Sequence, residues 1–112
     1  QMNRLFTNLL TNAVDACSEA RQCFVTINEQ RLTESIVVSV ADNGEGIPAE
    51  MQSKIFTPNF TTKTSGTGLG LAMCKSIVEQ AGGTIWFETR EGEGTTFYVR
   101  LPLINRAIDN MQ

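Results

Sequence analysis

The sequence contains no histidine. That removes imidazole from this chain as a general acid, a general base or a metal ligand. No basic block stands out either: nine lysines and arginines face twelve acidic residues, a net charge of -3. A broad electrostatic footprint for nucleic acid is thereby excluded, so any phosphate binding has to be local. Backbone amides and a few side chains would have to make it. No apolar run reaches membrane length and no secretory leader is evident, so the piece reads as soluble. Three cysteines, Cys17, Cys23 and Cys74, form no CxxC pair. Their odd number and spacing suit small core residues in a reducing compartment better than a disulfide framework.

What is present suffices for one core. With 112 residues, 41% hydrophobic and 19% charged, the chain reads as a single domain over 1–112. Met2, Leu5, Phe6, Leu9, Leu10, Ala13, Val14 and Cys17 recur at i, i+3, i+4 spacing, which predicts an amphipathic helix over 2–19. Strands are expected over 22–31 and 34–41, the second apolar on both faces and therefore central. The segment 42–68 reads as loop with a short helix at 49–55. A second helix is expected over 69–80, closed by Gly82 and Gly83. Strands over 84–90 and 95–101 follow, joined by an EGEG hairpin, with a short helix or frayed tail beyond. This order suits an α/β two-layer sandwich: a mixed, mainly antiparallel sheet with both helices on one face.

Three features could carry chemistry. Asn8, Asn12 and Asp15 fall within a ~60° arc at the edge of the first helix's apolar stripe. Oxygen-bearing side chains there suit a hard cation such as magnesium. The run ADNGEGIP (41–48) leaves the central strand directly. Its Asp42 offers a carboxylate to an exocyclic amine, and Gly44 and Gly46 permit positive φ and close backbone approach. Gly66, Gly68 and Gly70 precede the second helix, whose first N–H groups and positive dipole end form an anion site. Lys63 adds a point charge nearby. Each feature also has an ordinary reading, as a solvated helix edge, a D-N-G turn and a flexible loop. Their combination in this order is what points to metal, base and phosphates together.

In that order the chain resembles the ATP-binding catalytic domain of sensor histidine kinases, in the superfamily of gyrase, Hsp90 and MutL. NLLTNAVDA (8–16) resembles the N box and DNGEGI (42–47) the G1 box. IFTPNFTTK (55–63) resembles the F box and nucleotide lid. GTGLGLAMCKSIVEQAGG (66–83) resembles the G2 box with its helix, and GEGTTFYVRLP (92–102) the closing strand. The resemblance implies the Bergerat ATP-binding fold, whose edge strand ahead of the first helix would be missing from this sequence. It implies ATP and Mg2+ as ligands. Asn12, with Asn8, would hold the metal, and Asp42 would read adenine. Gly44 and Gly46 would line the base pocket, with Asp15, Ile47, Thr67, Leu69, Leu71 and Thr95 also at the nucleotide. Gly66, Gly68 and Gly70 would cradle the phosphates, Lys63 would reach toward the γ-phosphate, and Phe56 and Phe60 would pack the lid.

Departures from the pattern sharpen the expectation. Hydrolysing relatives carry a glutamate, the general base for water, at the position of Asn8. Its loss favours phosphoryl transfer to a protein over hydrolysis. Many histidine kinases have lysine and tyrosine where this chain has Asp15 and Ala16, which removes a phosphate contact and an adenine stack. With no histidine present, the phosphoacceptor would sit on an upstream helical dimerisation domain of the same protein, with a response regulator served indirectly. No residue of this chain is assigned a catalytic role. Neither nucleic acid nor direct membrane contact is expected. A cytoplasmic location is implied, with anchoring of a longer protein in the inner membrane left open. Two other readings share the boxes: a nucleotide-binding pseudokinase module and an anti-sigma-type serine kinase.

Overall fold

The computed structural model describes residues 2–17, 22–57 and 70–103. Helix α1 (Met2–Asp15) buries Leu5, Leu9 and Ala13, one residue per turn along a single stripe. It ends earlier than the hydrophobic spacing suggests. The Cys17 N–H reaches back only three residues, to the Val14 carbonyl, and so tightens the last turn. Strand β1 (Val25–Arg31) pairs antiparallel with β2 (Ser35–Asp42). A 3₁₀ turn, Ala49–Lys54, follows. Helix α2 (Gly70–Gln80) then leads into β3 (Thr84–Arg90) and β4 (Gly94–Pro102).

The sheet order is β1-β2-β4-β3. Every pairing among the described residues is antiparallel, so the expected mixed character is absent from them. Four strands are described and none lies ahead of α1. As expected, β2 is central, bonded to β1 on one side and β4 on the other. Strand β1 is an edge, and its sequence VTINEQR is exposed almost throughout. Polar and charged residues on an edge discourage pairing with other chains.

Register places Val40 opposite Phe97, Phe87 opposite Phe97 and Ile85 opposite Val99, all on one face. Leu5 and Leu9 of α1 and Cys74, Ile77 and Val78 of α2 pack into that same core. Full burial of each large aliphatic or aromatic side chain contributes about 1.5–3 kcal/mol. Phe56 adds edge contacts to Phe87 and Phe97, with ring centroids 6.0 and 6.3 Å away. Its ring also lies under Lys75 Nζ, 5.5 Å from the centroid; the expected lid partner, Phe60, lies outside the described residues. The opposite face carries a Trp86–Tyr98 stack at 5.3 Å, and the Tyr98 hydroxyl donates to Glu88.

Helix α2 closes as expected. The Gly83 N–H reaches the Val78 carbonyl and the Gly82 N–H that of Glu79. Gly82 takes φ +82°, the left-handed cap that a side chain disfavours. The tail from 104 onward lies outside the described residues.

The cysteines correct the reading from composition. Cys74 is the buried core residue expected, and burial pushes its thiol up to about 11. Cys17 and Cys23 are instead joined by a disulfide, with Cα atoms 5.5 Å apart. Spacing of six residues without a CxxC signature hides the pairing. The fold creates it by turning the end of α1 back toward the entrance of β1.

Closing so short a loop stabilises by about 2 kcal/mol through the unfolded chain. The Cys17→Ser/Cys23→Ser double variant should therefore lower the free energy of unfolding by about that amount in urea melts without reductant. Equal midpoints for the two proteins would mean that the bond does not form in solution.

Candidate functional site

Where the C-terminal end of α1 meets the ends of β2 and β4, a cavity of about 70 Å³ opens. That is several times the ~10–15 Å³ one buried water needs. Ile47, Met51, Ile55, Leu71 and Phe97 make an apolar wall. Asn12, Asp42 and Thr95 bring the polar groups, and Ala16, Gly46 and Pro48 complete the lining. An apolar slot with a few convergent polar groups is the usual form of a small-molecule site.

Asp42 is the last residue of β2. Its Oδ1 accepts the Gly44 N–H at 2.9 Å and the Thr95 N–H at 3.2 Å. These two bonds fix the carboxylate's orientation at the cavity wall. Thr95 lies directly across the ladder from Asp42, so β2 and β4 present the two side chains together.

The loop after Asp42 is clamped on both sides. The Ala16 carbonyl, at the end of α1, accepts the Glu45 N–H at 3.0 Å. On the other side the Glu45 carbonyl accepts the Gly92 N–H at 2.7 Å. The Ile47 N–H donates to Thr89 Oγ1 at 2.9 Å. This approach requires glycine. A Cβ on residue 44 would sit 2.2 Å from the Ala16 carbonyl oxygen, and one on residue 46 would sit 2.3 Å from that of Arg90. Gly46 also has φ +78°. The two glycines thus differ: Gly46 needs positive φ, whereas Gly44 has an ordinary φ and serves by backbone contact alone.

Several expected residues meet here. Asn12, Asp42, Gly46, Ile47, Leu71 and Thr95 all border the cavity. Gly44 lies behind it, against Ala16. Asn8 is one turn further down α1, and its Nδ2 is buried with no hydrogen-bond partner among the described residues. A buried donor without an acceptor costs about 1–3 kcal/mol, so the Asn8 amide is a group that an incoming acceptor oxygen would satisfy. Asp15 is exposed and off the cavity wall. Gly70 opens α2, and nothing would crowd a Cβ there. Lys63, Gly66, Thr67, Gly68 and Leu69 lie outside the described residues.

Other lining residues were given no role by the sequence. Pro48, Met51 and Ile55, in and beside the 3₁₀ turn, and Phe97 of β4 also border the cavity. The four-residue spacing of Met51 and Ile55 after Pro48 was the available signal. Asn43 was missed too: its side chain accepts the Phe24 N–H and donates to the Gln22 carbonyl, each at 2.8 Å. That holds the backbone beside Cys23 against the loop.

Over residues 1–105 the sequence matches the family described as histidine kinase-, DNA gyrase B-, and HSP90-like ATPase. The chain belongs to that family. Among similar proteins, the sensor histidine kinase ZraS of Escherichia coli K12 is 44% identical over 103 residues, 92% of this chain and 22% of that protein. The alginate biosynthesis sensor protein KinB of Pseudomonas aeruginosa is 39% identical, over 92% of this chain and 17% of that protein. The nucleotide-free catalytic domain of histidine kinase ThkA superposes with TM-score 0.78 at 41% identity, covering 90% of this chain and 65% of that one. The chain thus spans about a fifth of the length of the curated relatives it matches. Within the family it is an ATP-binding catalytic domain of the two-component sensor kinase type. Family membership accounts for the order of the elements around the cavity and for the nucleotide the domain binds.

Gly46→Ala tests the clamp. Strain at positive φ costs about 1–3 kcal/mol, and overlap with the Arg90 carbonyl adds to it. A thermal melt should show a lower midpoint together with weaker ATP binding; an unchanged midpoint would mean the loop can back away from Arg90.

Proposed function

We propose that the domain binds Mg-ATP with adenine in the cavity and donates the γ-phosphoryl group to a histidine on a separate helical domain of the same protein. A response regulator would receive the group afterwards. One observation carries this reading: a carboxylate, Asp42, held in fixed orientation at the wall of an otherwise apolar slot that Asn12 also borders. A flat, apolar ring with an exocyclic amine matches that slot. Ile47, Met51, Ile55, Leu71 and Phe97 would enclose the faces and edges of the base, and Asp42 would accept from its amine. Ala16 leaves room where a tyrosine would stack.

Asn12 and Asn8 are the candidates for the metal. Amide oxygens suit a hard cation, and the Asn8 Nδ2, without a partner among the described residues, could donate to a phosphate oxygen. Held by these amides, magnesium would supply positive charge that offsets the charge of the phosphates during transfer. Gly66, Gly68 and Gly70 would supply backbone amides to the phosphates, and Lys63 a positive charge. Asn8 cannot take a proton from water, so the site favours transfer over hydrolysis. Positioning and charge neutralisation are what this chain contributes. ATP supply puts such a domain on the cytoplasmic side. Among the described residues, no helix is long and apolar enough to cross a membrane.

Two measurements test the roles. Replacing Asp42 with alanine removes a charged hydrogen-bond acceptor, so calorimetric titration should show ATP affinity reduced between about 10- and 100-fold. Retention of the native affinity would remove Asp42 from base recognition. Asn12→Ala should abolish the gain in ATP affinity that magnesium gives the wild type, measured by titrations with and without the metal. A preserved magnesium response would place the ligand elsewhere.

A further inference from the structure

Thr89 belongs to none of the sequence boxes, yet three polar groups around the cavity converge on its hydroxyl. It accepts the Ile47 N–H at 2.9 Å. It lies 2.8 Å from Thr95 Oγ1 and 3.1 Å from the Gly94 carbonyl oxygen. A hydroxyl has one proton and two lone pairs. Ile47 occupies one lone pair, so the remaining question is where the proton goes. If it goes to Gly94, Thr95 donates to Thr89 and turns its own lone pairs toward the cavity. If it goes to Thr95 Oγ1, the Thr95 proton is left for whatever the cavity holds. Thr95 is 5% exposed and borders the cavity, so bulk water does not settle the choice.

Adenine settles it. The edge of the ring presents an amine donor beside a ring-nitrogen acceptor. The Asp42 carboxylate can serve only the donor. Its neighbour across the ladder, tied to it by the 3.2 Å bond from the Thr95 N–H, is Thr95. The ring nitrogen needs a donor there, directly or through one water.

We propose that Thr89 is a positioning and specificity-determining residue: by donating to Thr95 Oγ1 it makes the Thr95 hydroxyl a donor for the ring nitrogen beside the exocyclic amine. This rests on the adenine reading above. Guanine would meet the same pair with both polarities reversed, its carbonyl facing Asp42 and its ring N–H facing the Thr95 proton. Because the same Thr89 oxygen also holds the Ile47 N–H, one side chain sets both an apolar wall and the polar rung beside Asp42.

The test is a titration of ATP and of 1-deaza-ATP, which keeps the amine but has CH in place of that nitrogen. Proteins compared are the wild type, Thr89→Val, Thr89→Ser and Thr89→Cys. The wild type should prefer ATP about fivefold, the worth of one net hydrogen bond. In Thr89→Val the Thr95 hydroxyl is no longer held in one orientation, so the preference should fall below that of the wild type, mostly through weaker ATP binding, and Thr89→Ser should restore it. Thr89→Cys, a weak donor of similar size, should give an intermediate ratio and serves if the valine variant does not fold. Equal loss of both ligands, or an unchanged ratio in the valine or cysteine variant, would show Thr89 to be structural only and overturn the proposal. A wild type with no preference between the two ligands would overturn it as well. A wild type that binds neither ligand would sink the nucleotide reading itself.

Discussion

The close approach of the 42–48 loop to two carbonyl groups governs the rest of this site. One carbonyl, Ala16, ends α1, and the other, Arg90, ends β3. The loop lies between them, and hydrogen bonds to Ala16 and Gly92 hold it from both sides. Only residues without a Cβ allow that separation. Through it a helix, a hairpin and the exit of the central strand share one junction, and the cavity is the space their ends leave. The Cys17–Cys23 bond and the Asn43 side chain add the entrance of β1 to the same junction. A shift in any of these elements would move Asp42.

This arrangement explains how an acidic chain can take an anionic ligand. The net charge is -3, so long-range attraction does not assist. Recognition must therefore come from groups fixed before binding. Asp42 meets that requirement, because two backbone N–H groups hold one of its oxygens. A carboxylate free to rotate would lose entropy on ordering, and part of its hydrogen-bond strength would be spent there. Here the strand pairing has already borne that cost during folding. Asn12 projects from the edge of the helix stripe that Leu5, Leu9 and Ala13 lock in the core. The site's polar groups thus stand on regular elements, and the loop between them is itself clamped.

Periodicity made most of the elements legible, and particular residues show where it failed. The run SIVVSVA is apolar on both faces, so its central place could be read directly. The end of α1 could not, because Cys17 continues the apolar spacing while the backbone has already tightened around Val14. The disulfide was invisible for a related reason: spacing says nothing of where a helix end points. Asp42 and Gly46 were readable because turn chemistry is local. Thr89 was not, since a threonine in a strand is unremarkable until the ladder sets it opposite Thr95. Met51 and Ile55, within and just after a six-residue 3₁₀ turn, showed only a single four-residue spacing, too little to mark a buried face.

The absences in the sequence and the proposed chemistry bear on one another. A water molecule attacking a phosphoryl group needs its proton removed, and an amide at Asn8 cannot do that. A neutral imidazole already presents a lone pair near neutral pH, so a histidine acceptor needs no such base. A domain that donates to histidine therefore gains from losing the carboxylate: the competing reaction with water slows while transfer is left unhindered. A histidine acceptor on another domain would act in the same direction, because transfer would then depend on how the two domains meet. What remains for this chain is to hold the nucleotide in one orientation, and the junction around Asp42 is built for that task.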